Sequence, residues 1–360
     1  MDELTGEKME NKIRIQYFDC VKGIAILSIV LGHMVGFNGH MLEDGYLIDF
    51  LFTYHVPVFL TISGYFLKVK KGTERKYCLR LLKPYIFATI AITILFIFRK
   101  LGKFLLTGER FDLAEIIVYW LVAGLFGAGG RTDFLGFDFP RIGAIWFLLA
   151  LLWSVLILCF IVKTSFRFSN EKTKLLFIVC VTCVISTIGV LSAKYITWLP
   201  LSIQSGTAAL PFILIGYLSQ GKLQFNKRIE VSSLLIWSLA IFRSFSNQRL
   251  SVCNANYPDP FLNIVGGGAA TYVLIYIMRE LEQKNALKKI RAFLNFFGRN
   301  SIVVLTFHLI ETKIIPWRFM YRFVQIPIIA FLLIYILKII WATVWIIIVN
   351  KIKILKKVFY

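Results

Sequence analysis

Residues 19–33 read DCVKGIAILSIVLGH, and the fold class turns on how this stretch is taken. It has the apolar density of a membrane-spanning helix, yet it carries Asp19, Lys22 and His33. A span needs about 20 mostly apolar residues. An ionisable group placed inside one is costly and usually marks a pathway or a reaction site.

Composition decides the setting. The 360-residue chain is 58% hydrophobic and 16% aromatic, with 17% charged residues and a mean hydropathy of +0.72. Soluble domains carry about 25% charge, so the chain reads as an all-α integral membrane protein in a lipid bilayer. A formal charge of +21 would suggest nucleic acid in a soluble chain. Here the basic residues cluster between apolar runs, where they set topology and meet lipid phosphates, so no nucleic-acid partner is expected. The cysteines are scattered. Cys180 and Cys183 form a C-x-x-C in an apolar helix with no second pair or nearby histidine, so neither a disulfide framework nor a metal site is expected. Residues 1–18 are polar and no small-residue cleavage site follows, so no cleavable signal is expected.

Apolar runs lie near 21–38, 47–67, 84–98, 113–129, 143–162, 175–193, 199–219, 231–246, 260–278, 300–317 and 325–349. Lys8, Lys12, Arg14 and Lys22 put the N-terminus in the cytoplasm by the positive-inside rule. If all eleven runs crossed, the basic segments 163–174 and 279–299 and the tail KIKILKK would fall outside. If the Gly-rich run 113–129 does not cross, all three fall inside. The expectation is about ten transmembrane helices with one extra re-entrant or interfacial segment near 113–129. Residues 1–20 are then a cytoplasmic N-terminal segment, 21–349 one multi-span domain and 350–360 a basic cytoplasmic tail. Both termini face the cytoplasm of a multi-pass cell-membrane protein. The segment 99–142, with Arg131, Asp133, Asp138 and Arg141 in GGRTDFLGFDFPR, and the loop 246–259 should face outside.

Three of the four histidines fall within spans; His40 lies in an external turn. His33 is eleven residues beyond Lys22, about three turns and roughly 16 Å along the same helix face. His55 is about two turns into the second span, and His308 about two turns into its own, with Glu311 one turn further. A lone buried histidine is simply read as a packing residue bonded across helices. Three at compatible depths, near Lys22, Asp19 and Glu311, point to a reaction site with imidazole as general base. Asp19 is too far along the helix to reach His33, roughly 21 Å, and pairs more naturally with Lys22. The inner-face cluster Arg75, Lys76, Arg80 and Lys83 satisfies the positive-inside rule. Alternatively, Arg80 and Lys83, one turn apart, bind the polyanionic end of a phosphorylated donor. Trp146 either stacks on an acceptor or anchors at an interface. Gly266, Gly267 and Gly268 make no phosphate loop.

The ordered set RIQYFDCVKGIAILSIVLGH (14–33), YHVPVFLTISGYFLK (54–68), RKYCLRLLKPY (75–85), AIWFLLALL (144–152) and GRNSIVVLTFHL (298–309) resembles membrane acyltransferase family 3, and within it the fucose 4-O-acetylase-like branch. The resemblance implies transfer of an acyl group, usually acetyl, from cytoplasmic acyl-CoA to a hydroxyl of a sugar or glycan. Acetyl-CoA, or another acyl-CoA, is then a co-substrate rather than a bound cofactor. The family's pattern of a basic residue followed by His falls on Lys22 and His33, with His33 as the essential catalytic residue. Its R-x-x-R falls on Arg80 and Lys83, where lysine lacks the bidentate fork of arginine. Beside that reading, His55 is a second pocket residue next to Pro57, His308 and Glu311 line the acceptor side or are structural, and an acyl-His intermediate is a variant. A transporter or flippase for a glycan or lipid precursor would use the same buried groups as a proton path, but no two-half repeat or paired broken helices are visible. A scaffold leaves the histidines unexplained.

Overall fold

Each of the eleven apolar runs falls on helix in the computed structural model, which describes residues 15–37, 45–130, 133–134, 137–196, 198–246 and 249–360. Lys8, Lys12, Arg14, His40 and Arg131 lie outside the described residues, as do parts of both long loops. The first half of the chain comprises α1 (Gln16–Phe37), α2 (Tyr46–Phe52), α3 (His55–Tyr65), α4 (Thr73–Thr107), α5 (Leu113–Phe126), α6 (Trp146–Ser165) and α7 (Glu171–Tyr195). A hairpin of two-residue strands, β1 (Asp133–Phe134) and β2 (Phe137–Asp138), precedes α6. Then follow α8 (Ile203–Ala208), α9 (Leu210–Leu218), α10 (Lys227–Phe245), α11 (Pro260–Gln283), α12 (Lys288–Arg299), α13 (Ser301–Ile314), α14 (Met320–Phe323), α15 (Pro327–Lys351) and α16 (Lys353–Phe359).

Local sequence explains the boundaries. The Asn170 side chain accepts from the amides of Lys172 and Thr173 at the start of α7, and Asp112 and Asn226 do the same for α5 and α10, satisfying amides that the first turn leaves unpaired. Pro260 and Pro327 open α11 and α15, where a missing N–H costs nothing. The run 47–67 is broken at Thr53–Tyr54, so Pro57 sits in the first turn of α3, the position where proline disturbs a helix least.

Among the described residues, seven helical segments are long and apolar enough to cross a membrane. The count reaches nine if the bent pairs α8–α9 (51°) and α12–α13 (74°) are each one span. Ten spans are therefore not established. The missing candidate is α10, which carries Lys227, Arg228, Glu230 and Arg243. The segment expected to be re-entrant forms α5, 14 residues long, or about 21 Å against a hydrocarbon core of about 30 Å.

The spans fall into an inner and an outer set. In α1, in α2–α3 and in α6, 61–72% of the apolar window is buried inside the protein, against 22–28% in α4, α7 and α15. Outer helices instead expose large apolar side chains, such as Leu176 and Ile188 on α7, as lipid-facing surfaces do. Two inner contacts are backbone to backbone. A Cβ on Gly23 would collide with the Leu294 carbonyl, and one on Gly298 with the Asp19 carbonyl, so α12 lies directly on α1. Gly64 and Gly216 join α3 to α9 in the same way. Small residues permit such approach between helices in lipid.

Candidate active site

Asp19, Lys22, Ile26 and Ile29 recur at three- and four-residue spacing along one face of α1, and this face forms one wall of a cavity of about 790 Å³. That volume lies within the roughly 300–1,000 Å³ typical of small-molecule and cofactor sites. The other walls come from α3, α4, α6, the end of α12, the start of α13, and the end of α16 with Tyr360. One end is strongly basic. Lys22, Lys68, Lys70, Lys76, Arg80 and Arg299 line it, with Asp19 the one acidic side chain among the described lining residues. Asp19 is 2.5 Å from Lys22, so the lining keeps a large positive excess that suits a polyanion.

The other end is apolar and closed by Ile29, Phe59, Phe147, Leu148, Leu151 and Leu305. The histidines lie just past this floor. His33 is four residues beyond Ile29 on α1, His55 four residues from Phe59 on α3, and His308 three residues beyond Leu305 on α13. Each step is close to one helical turn, about 4.5–6 Å. The His33 and His308 rings are 5.3 Å apart, centroid to centroid, and His33 also lies within Coulombic range of His55. His55 Nδ1 is 2.5 Å from the Leu51 carbonyl oxygen, and its ring meets Phe52 edge-on.

A cation-lined cavity thus ends one turn short of three converging imidazoles inside a helical membrane protein. The family model described as an acyltransferase domain matches residues 15–351. The chain belongs to acyltransferase family 3. No curated protein and no solved structure gives a significant match.

Other residues of this acyltransferase fall into place around that frame. Lys76 and Arg80, four apart on α4, both line the cavity, whereas Lys83 does not. Lys83 is exposed and donates to the Lys357 carbonyl at 3.5 Å. The side-chain stripe of α4 explains the difference: from Arg80, one turn back lands on Lys76, and the stripe continues forward to buried Pro84 rather than to Lys83. Trp146 is 7% exposed, sits at the opposite end of α6 from the basic residues and packs against Gly129 beside Cys253.

His308 and Glu311 form a buried pair, 3% and 1% exposed, with Nδ1 of the histidine 2.8 Å from Glu311 Oε1. The same oxygen accepts from Lys338 on α15, itself 5% exposed, whose ammonium lies 5.1 Å from the Trp317 ring centroid. Sequence reasoning missed Lys338. Its signal is the lone charge in PIIAFLLIYILKIIWATVWIIIVN, which the rule applied to the histidines also covers.

Proposed function

We propose that the protein is a membrane O-acyltransferase of the fucose 4-O-acetylase-like kind. It moves an acyl group, most simply acetyl, from acyl-CoA to a hydroxyl of a sugar or cell-surface glycan. The observation that carries this reading is the alignment of a basic-mouthed cavity with three histidines one turn beyond its floor. The nucleotide phosphates rest on Lys22, Lys76 and Arg80, with Lys68, Lys70 and Arg299 adding charge. The pantetheine arm follows the α1 stripe, and the roughly 16 Å rise from Lys22 to His33 matches the length that arm has to cover.

At the far end of that path His33 acts as general base. It takes the proton from the acceptor oxygen as that oxygen forms its bond to the thioester carbonyl carbon. The carbon–sulfur bond then breaks, and the proton ends on the departing thiolate. His33 is partly accessible, as an acceptor hydroxyl requires. His55, its Nδ1 held against the Leu51 carbonyl, is a second pocket residue that orients the acceptor. Trp146 and Lys83 have no part in this reading. The basic mouth faces the cytoplasm, where acyl-CoA is made, which puts the N-terminus and the basic tail on that side of the cell membrane.

Acetyl-CoA binding to the purified chain, lost in a Lys76→Gln/Arg80→Gln variant, distinguishes this reading from a glycan transporter. Surface glycans from cells with and without the gene, compared by mass spectrometry, should differ by an O-acetyl group. Full transfer by a folded His33→Ala protein would overturn the assignment of the base.

A further inference from the structure

The His308–Glu311–Lys338 network has a feature that packing alone does not explain. His308 Nε2 and Glu311 Oε2 are buried with no hydrogen-bond partner among the described residues. A buried polar atom left unpaired costs about 1–3 kcal/mol, so such atoms are rare and call for a reason. Glu311 is ion-paired with Lys338, and a carboxylate in such a pair can only accept hydrogen bonds. A neutral His308 that bonds Glu311 through Nδ1 carries its hydrogen there, which leaves the lone pair on Nε2. That nitrogen belongs to the ring 5.3 Å from His33, centroid to centroid. The separation lets two ring nitrogens reach hydrogen-bonding range, about 2.6–3.2 Å, when the rings turn toward one another. An imidazole whose Nδ1–H is fixed by a carboxylate and whose Nε2 is free is the arrangement of a general base in hydrolytic triads.

Resting on the acyl-transfer reading above, we propose that His308 is a proton-relay residue for His33, and that Glu311 and Lys338 are its positioning residues. In the reaction the acceptor O–H bond breaks and its proton passes to His33, then to His308 Nε2. The new acceptor–acyl C–O bond forms and the C–S bond breaks, its electron pair leaving on sulfur. The proton returns through the same two rings to the thiolate. The relay places the transient positive charge on the ring that touches Glu311. Asp19, the carboxylate on the same helix as His33, lies at the other end of the cavity beside Lys22.

The test uses the full-length chain in lipid nanodiscs, with radiolabelled acetyl-CoA as donor and a surface-glycan extract from cells lacking the gene as acceptor. His308→Asn keeps an amide N–H for Glu311 but has no atom at Nε2. It should lower kcat about 100-fold, in line with loss of a general acid–base step, with KM for acetyl-CoA within twofold. Glu311→Gln should lower kcat comparably and enlarge the solvent deuterium isotope effect. The double variant Glu311→Gln/Lys338→Met, which removes both charges together, should stay slow. A wild-type kcat in folded His308→Asn overturns the relay, and recovery of kcat in the double variant overturns the positioning role. If the wild type transfers nothing, or His33→Ala remains active, the acyl-transfer reading itself has failed. Activity lost in His33→Ala but intact in His308→Asn removes the relay alone.

Discussion

The two ends of the α1 stripe handle charge in opposite ways. At the Lys22 end, six cationic side chains line an accessible cavity with one acidic side chain among the described lining residues. At the His33 end, the neighbouring ammonium and carboxylate, Lys338 and Glu311, are paired with each other and buried. Excess charge is tolerable where water and a polyanionic ligand can reach it. Inside the membrane domain each ion has to be compensated. The contrast separates a region built to bind from one built to manage a proton.

This separation predicts distinct consequences for variants of each region. The largest effect is expected from His33→Ala, which should cut acetyl transfer about 1,000-fold, within the range ascribed to general acid–base groups, while detergent unfolding temperature stays near that of the wild type. Next is Lys338→Met alone, which strands the Glu311 carboxylate. It should cost about 3–5 kcal/mol, the usual result of removing one partner of a buried pair, measured by chemical unfolding in mixed micelles. Adding Glu311→Gln should return most of that loss. At the basic end, Arg80→Gln should weaken acetyl-CoA binding about 10-fold with kcat unchanged, as loss of one charge-assisted contact implies, and titration calorimetry at low and high salt should show the difference shrinking with salt. Lys83→Gln should change affinity by less than about twofold, since an exposed charge away from the cavity contributes little. An equal loss in Lys83→Gln and Arg80→Gln would erase the distinction drawn along α4.

Much of the helical layout was legible because lipid-facing helices must be apolar over a set length. Every expected run falls on helix, and the break at Thr53–Tyr54 lies just before Pro57, which then sits in the first turn of α3. The span count was less legible. Length and hydropathy do not say whether α12 and α13, meeting at 74°, make one crossing, nor how the charged ends of α10 sit. For the site, three- and four-residue spacing placed Lys22 and His33 on one stripe, because both are on one helix. It could not bring Arg299 to the cavity mouth or Lys338 to Glu311, 27 residues away in sequence. Those adjacencies arise from how separate helices pack, which no local spacing encodes. The choice of Lys83 over Lys76 beside Arg80 followed a motif position rather than the stripe, and it is the stripe that faces the cavity.

The backbone contact of α12 on α1 bears on how tolerance to substitution should be read in this protein. Gly23 and Gly298 leave no room for even one extra methyl group, so alanine at either would push apart the two helices that frame the basic mouth. In a survey scored only by survival or product, Gly23 would look as intolerant as His33. The two failures differ in kind, since one protein never assembles and the other assembles but is inert. Counting the folded molecules in the membrane alongside the product tells them apart.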